Sequence, residues 1–447
     1  MSWTNLDPNF NSFIYSSGLF VNDSLLDECL VISGDEYQVI SHYQHAFILA
    51  RLLKTPRWST FACILHSVFH VPMAMHFLIA VSSMDLNQRS PHSAISLNLI
   101  RAHFQKGTEL LVQQMNSEAE PHHVSTLSSW VFAYLCIAHR DVLDKNAVNR
   151  LSTAVLKYLQ RYNLNSSDAA IPFGDRSLAF LEPDFSASVE SGLIARVILL
   201  LATFDANMAF EGCGGHLASH LYTDREVYWR IFSRQRFILE RYWGISYPEY
   251  ELQHDLESAG AIEMGYKLQH IFHQLNELSE KSGREAILRD SSIERLISEI
   301  KMEYSAVLRT ALSPTASQIS FPRPAQAAVC FFYFVQIYYF RLTAPDSTQA
   351  TPLHITLAMA NTMNIVHQAF SQQEMGASEL YQLPLFMVGI ETRDQIHADW
   401  IQSRMSRLRF RSALSQIRSL QEKSGSRLSI SDVREILCSC LVSRTIE

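Results

Sequence analysis

From Tyr37 onward, apolar residues recur every three to four positions almost everywhere, and no apolar–polar alternation persists beyond a few residues. A period near 3.6 gathers side chains on one face of a helix, whereas a strand needs a period of two. A chain patterned this way folds as helices packed on helices. Between Ser93 and Met115, Leu97, Ile100, Phe104, Leu111 and Met115 form one stripe, while Arg101, Lys106 and Glu109 stay off it. Between Asp224 and Trp243 a second stripe runs through Tyr228, Ile231, Phe232, Ile238, Leu239 and Tyr242, with Arg225, Glu226, Arg230, Arg234 and Glu240 outside it. Ala327 to Leu342 is aromatic nearly all round, the pattern of a central buried helix. Ser291-x-x-Glu294, ahead of Leu296, Ile297 and Ile300, reads as a capping box.

Breakers are scarce: 15 Gly and 14 Pro in 447 residues, against 47% apolar residues. Ordinary usage is about 7% Gly and 5% Pro, so the elements are long and the core is large. Breaks are predicted at Arg89-Ser90-Pro91, Asn163 to Arg176, Glu211 to Gly215, Ser313 to Pro324 and Ala344 to Pro352. The expected fold is all-α, a large irregular array of roughly fifteen helices over 37–447, with a seam between two halves near Ser282–Ser291. Residues 1–36 form an acidic arm in which Asp7, Asp23, Asp27, Glu28, Asp35 and Glu36 alternate with Phe10, Phe13, Tyr15 and Phe20. It reads as an arm lying on the helical body, with an activation segment as the sharper alternative.

A net charge of −7 argues against a chain devoted to gripping phosphates. The seven cysteines (29, 63, 136, 213, 330, 438 and 440) are odd in number and contain no Cys-x-x-Cys pair. That fits free thiols in a reducing compartment. Ala327 to Tyr339 reads as the longest apolar run and is too short to cross a bilayer. No Lys or Arg precedes Arg51, so neither a signal peptide nor a presequence is expected. The expectation is an intracellular protein, nuclear or cytoplasmic, without a membrane segment.

No phosphate loop, Gly-x-Ser-x-Gly elbow or His-Glu-x-x-His helix is present. Four histidine pairs have helix-face spacing: His42/His45, His66/His70, His216/His220 and His270/His273. Each lacks an identifiable third ligand, so no metal and no cofactor are expected. Cys438 and Cys440, two apart on a helix, diverge by about 200° and cannot share an ion. Glu211-Gly-Cys-Gly-Gly-His216 reads either as a tight turn into a helix or as an anion site on free helix amides. Asp205, on an otherwise apolar helix, must be paired, by capping or by bridging to Arg196 or a neighbouring helix. The nine Arg or Lys and four acids of 403–447 read as a solvated face over a packed one rather than a nucleic-acid surface.

The segment Leu383-Pro-Leu-Phe-Met-Val-Gly-Ile-Glu-Thr-Arg-Asp-Gln-Ile-His-Ala-Asp-Trp400-Ile resembles the C-terminal signature of the fungal-specific transcription factor domain, the regulatory region of binuclear zinc cluster regulators. Leu383 stands where that pattern usually has Trp. Leu78-Ile-Ala-Val-Ser-Ser-Met84 with His103-Phe-Gln-Lys, Asp205 with Gly212–Gly215, and Trp243-Gly-Ile-Ser-Tyr-Pro-Glu249 with Asp255 and Glu257 agree in order. The resemblance covers roughly residues 37 to 420. It implies a helical region that restrains activity, senses small molecules and supports homodimer or coregulator contacts.

The six-cysteine zinc cluster of that family has no counterpart here. Three explanations are open: a regulator acting through partners without its own DNA reader, a truncated regulator, or a helical domain recruited to a fungal biosynthetic pathway. The primary expectation is a transcription-factor-like regulator, linked to secondary metabolism, that binds no DNA directly and responds to other regulators or to a small apolar metabolite. The alternative is an enzyme of cyclase or isomerase type acting on an apolar metabolite. Its pocket would be lined by Trp243, Tyr333 and Tyr338, with Asp205, His216 and His220 as acid–base candidates.

Overall fold

The computed structural model describes residues 33–51, 55–89, 95–117, 119–140, 143–164, 188–279, 284–312, 323–344, 350–371 and 377–439. Within them the chain is all-α and has no strand. The helices are α1 (Gly34–His42), α2 (Thr60–Val68), α3 (Pro72–Arg89), α4 (Leu97–Asn116), α5 (His123–Ala138), α6 (Lys145–Arg161) and α7 (Val189–Phe210). There follow α8 (His216–Thr223), α9 (Arg225–Gln235), α10 (Ile238–Trp243), α11 (Glu249–Leu278), α12 (Arg284–Glu303), α13 (Ser305–Ala311) and α14 (Arg323–Thr343). The chain then forms α15 (Leu353–Ser371), α16 (Ala377–Leu380), α17 (Gln382–Glu391), α18 (Gln395–Arg404), α19 (Leu408–Ser424) and α20 (Ile430–Ser439). They outnumber the fifteen expected because short helices such as α10, α13 and α16 subdivide longer apolar stretches.

Capping chemistry sets several starts. The Ser33 hydroxyl accepts from the Glu36 amide (3.3 Å) while the Glu36 carboxylate accepts from the Ser33 amide (2.6 Å). This box opens α1 inside the expected arm, whose first 32 residues lie outside the described ones. Ser291–Glu294 is not a cap: α12 begins at Arg284 and runs through it. The Ser-x-x-Glu spacing also suits the interior of a helix, where such residues are simply neighbours on one face. The stripe from Asp224 to Trp243 is broken as well. Arg236 turns to extended backbone, Phe237 takes a left-handed φ of 54°, and α10 starts afresh. Gly192 of α7 makes room for that break, since a Cβ there would lie 2.5 Å from Ile238 Cδ1 and 3.1 Å from the Arg234 carbonyl.

α5 is buried along its length from Val124 to Ala138. α14 is the expected aromatic core helix: Phe334 and Tyr338 pack around Phe210 of α7 and Phe272 of α11, with ring centroids 5.3–6.1 Å apart. One hydrophobic cluster extends from Val39 to Cys438, crossing the seam expected near Ser282–Ser291. Among the described residues α7 alone is long and apolar enough to span a bilayer, rather than the aromatic run of Ala327 to Tyr339. Here most of its apolar residues, from Leu193 to Phe210, are buried within the helical array.

Buried ion pairs tie the chain's ends to its middle. Asp85 receives hydrogen bonds from His42 (2.8 Å), Arg51 (2.9 Å) and Arg89 (2.8 Å). The expectation of a solvated basic face near the C-terminus needs correction. Arg409, only 2% exposed, pairs with Glu211; Arg341 and Arg427 pair with Glu391; Arg434 donates to the Phe210 carbonyl at 3.0 Å. These bases hold α19 and α20 on the core because a guanidinium can serve several buried acceptors at once. Cys438 likewise points inward, donating to the Glu211 carbonyl (2.9 Å), and a hydrogen bond from the Cys213 thiol draws its pKa below the usual thiol value. Cys440 lies outside the described residues.

Candidate functional site

The two longest described helices, α7 and α11, do not close on each other along their whole length. Between them lies a cavity of about 490 Å³, completed by the α9–α10 break, the start of α14 and the α16–α17 segment. Arg196, Leu200, Thr203, Phe204, Asn207 and Glu211 line it from α7; His254, Ser258, Ile262, Gly265, Tyr266 and Gln269 line it from α11. Each set falls three or four residues apart, so each is one helix face. Phe232, Phe331, Leu383 and Phe410 close the apolar middle. The volume and the mixture of an apolar wall with a few polar groups are those of small-molecule sites.

The charged lining residues are mostly satisfied within the protein. Arg196 donates to Thr60 (2.9 Å) and to Gln235. Glu211 is paired with Arg409, and Asp255 accepts from the Tyr247 hydroxyl at 2.6 Å. Glu379 accepts from Ser406 (2.7 Å) and Arg407 (3.2 Å). Burial alone would raise the Glu379 carboxyl, but the charges of Arg407, Arg51 and His139 and the Ser406 bond hold it down to about 2. Other lining groups are not satisfied. Arg236 Nη1, His254 Nδ1, Ser258 Oγ, Gln269 Oε1, Gln382 Nε2 and Arg407 Nε are buried with no partner in the protein. Leaving a buried polar atom unpaired costs about 1–3 kcal/mol, so six among the residues around one cavity call for a physical reason.

The residues favoured from sequence lie elsewhere. Asp205 is fully buried and saturated: Oδ1 accepts from Tyr134 (2.9 Å) and the Gly215 amide (3.0 Å), Oδ2 from the Ala218 amide (2.9 Å). It caps α8 from α7, and it makes no bond to Arg196. Gly212, Gly214 and Gly215 adopt φ of 72–86°, and the amides of Gly214, His216 and Leu217 are taken by Asn149 and Ser152. The amides that could have received an external anion are thus filled by the protein's own side chains. His216 is exposed, His220 sits one turn along α8, and neither lines the cavity.

Trp243 packs edge-on against Trp58 (5.4 Å) beside His66. The Tyr333 hydroxyl accepts from Asn361 (3.2 Å), and that of Tyr338 donates to Asn276 (3.1 Å) and accepts from Arg434 (2.9 Å). All three belong to the packed interior outside the lining; Phe331 is the α14 aromatic that reaches the cavity. Of the paired histidines, His42 binds Asp85, His45 the Ser41 carbonyl, His66 Tyr242, His270 Gln274 and His273 Glu277. Among the described residues no group of three or more His, Cys, Asp or Glu side chains is placed to hold a metal ion.

Sequence reasoning missed Arg236, His254, Ser258, Gln269 and Gln382. A signal existed on α11, where His254, Ser258, Gly265 and Gln269 put polar or small residues on the inward stripe. Comparison with protein-family models, with curated proteins and with solved structures gave no match to this chain.

Proposed function

We propose that this chain is a ligand-responsive regulator of the type its sequence resembles, the helical regulatory region of zinc cluster transcription factors, acting through protein partners rather than through DNA contacts of its own. The observation that carries this reading is the largely apolar cavity between α7 and α11, whose lining residues include several with a buried, partnerless polar atom. A molecule held there would touch both long helices and the α16–α17 segment, and so could bias how they pack. Leu383 supports the reading: where the resembled pattern has Trp, the smaller side chain lines the cavity and leaves space.

Recruitment as a biosynthetic enzyme is the competing reading, and His254, a cavity-lining imidazole with a partnerless nitrogen, is the observation in its favour. Against it stands the state of the carboxylates. Glu211, Glu379 and Asp255 each engage an internal donor, which leaves no lining carboxylate poised as a general base. Deleting the gene separates the two. Loss of target transcripts supports the regulator; intact transcripts with one blocked chemical step support the enzyme. Sequence-specific DNA binding by the purified chain, at nanomolar protein and physiological salt, would overturn the reader-less clause.

A further inference from the structure

The cavity is polar in a directed way. α9 runs antiparallel to the middle of α11: the Tyr228 ring stacks 6.5 Å from His270, and one turn further along α9 the Phe232 ring lies 4.6 Å from that of Tyr266, one turn back along α11. One turn further along α9 is Arg236; one to two turns back along α11 are Ile262 and Ser258. The helix break therefore delivers a guanidinium to the wall that carries the Ser258 hydroxyl, 1% exposed and without a partner. Phe237 holds this break in a left-handed conformation that non-glycine residues rarely adopt, and such strain concentrates at ligand sites.

Charge decides what this wall accepts. Among the described residues Arg236 makes no ion pair: the neighbouring Gln235 oxygen is taken by Arg196, and Asp255 is engaged by Tyr247. At the other end of the cavity Arg407 is matched by Glu379, and Arg51 by Asp85. Arg196 also lacks an ion pair, but it is held by Thr60 and Gln235; Arg236 Nη1 is the guanidinium nitrogen left without a partner, and a planar guanidinium beside a hydroxyl donor suits a carboxylate. The remaining lining, Leu200, Phe204, Phe331 and Leu383, takes an apolar body.

We infer that the cavity binds an apolar monocarboxylic acid, its carboxylate paired with Arg236 and accepting from Ser258, its hydrocarbon portion lying between α7 and α11. The inference rests on the ligand-binding reading above and adds the chemical class of the ligand.

The test uses the full chain and three matched probes below their micellar concentrations: dodecanoate, dodecan-1-ol and dodecylamine, each titrated calorimetrically into wild type, Arg236→Gln and Arg236→Lys. The expected result is at least tenfold tighter binding of dodecanoate than of dodecan-1-ol by wild type. That preference should fall to within twofold in Arg236→Gln and be partly kept in Arg236→Lys, with the alcohol's Kd unchanged in both. Circular dichroism identifies a variant that fails to fold, in which case Ser258→Ala, expected to weaken only the acid, takes its place. Equal binding of acid and alcohol, or preference for the amine, overturns the carboxylate assignment while leaving a ligand cavity standing. No binding of any probe by wild type overturns the ligand-binding reading itself.

Discussion

Asp205 is an anion that the protein supplies to itself. A carboxylate inside an apolar helix is legible in sequence as something that must be paired; which donors pair with it depends on how α5, α7 and α8 meet, which periodicity does not encode. Replacing Asp205 with Asn removes the charge and forces a donor toward the amides of Gly215 and Ala218. We expect Asp205→Asn to lose about 2–4 kcal/mol in urea unfolding, with dodecan-1-ol binding unaltered once folded; a loss below about 0.5 kcal/mol would remove its anchoring role. Glu379 gives a pH prediction. Its carboxyl lies near 2, below the ordinary 4.5, so its contribution, about 3 kcal/mol, is complete above the unfolded value and is lost as pH falls through the folded one. For Asp85, burial opposes ionisation, but hydrogen bonds from His139 and His42 and the charges of Arg51 and Arg89 hold its carboxyl far below the usual range, extending the loss to lower pH. Stability should therefore decline from about pH 5 downward, and less steeply in Glu379→Gln. Parallel profiles for the two proteins would contradict this.

At the level of elements, the 3.6 period located α4 and α14, and the Gly/Pro clusters located the ends of α3, α6, α7 and α14. It failed where a helix is interrupted without a breaker residue. Nothing in Arg236-Phe237 marks a stop; tertiary packing against Gly192 makes one. Gly192→Ala should destabilise by about 1–3 kcal/mol, because the Arg234 carbonyl 3.1 Å away is backbone and cannot retreat. Gly260, within α11 with nothing inside 4 Å of an added Cβ, is the matched control. Gly260→Ala should gain about 0.5–1 kcal/mol from helix propensity. Urea midpoints check both, and a neutral Gly192→Ala would mean that the break is not held by close packing. The aromatic residues chosen from sequence failed for a related reason. Tyr333 is two residues, about 200°, around α14 from Phe331, and aromatic content alone does not distinguish the face that packs from the face that lines.

Across the whole molecule, the all-α class followed from period and composition, whereas the cavity did not, because it is the space left where two long helices fail to meet. Apolar burial supplies the stability, in a large cluster running from Val39 to Cys438 and a smaller one around Trp58, Cys63 and Ile238. Helical circular dichroism should accordingly persist in excess chelator, with less than about 0.2 metal per chain by elemental analysis; near-stoichiometric metal with unfolding on chelation would refute this. The central claim, that the space between α7 and α11 receives a small apolar molecule, is tested most directly by filling it. Dodecan-1-ol, which is neutral and so independent of Arg236, is titrated into wild type and Leu383→Trp, the variant that places an indole in the cavity. The account predicts at least a tenfold rise in Kd for Leu383→Trp with an unchanged circular dichroism spectrum; an unchanged Kd would put the probe elsewhere and contradict it.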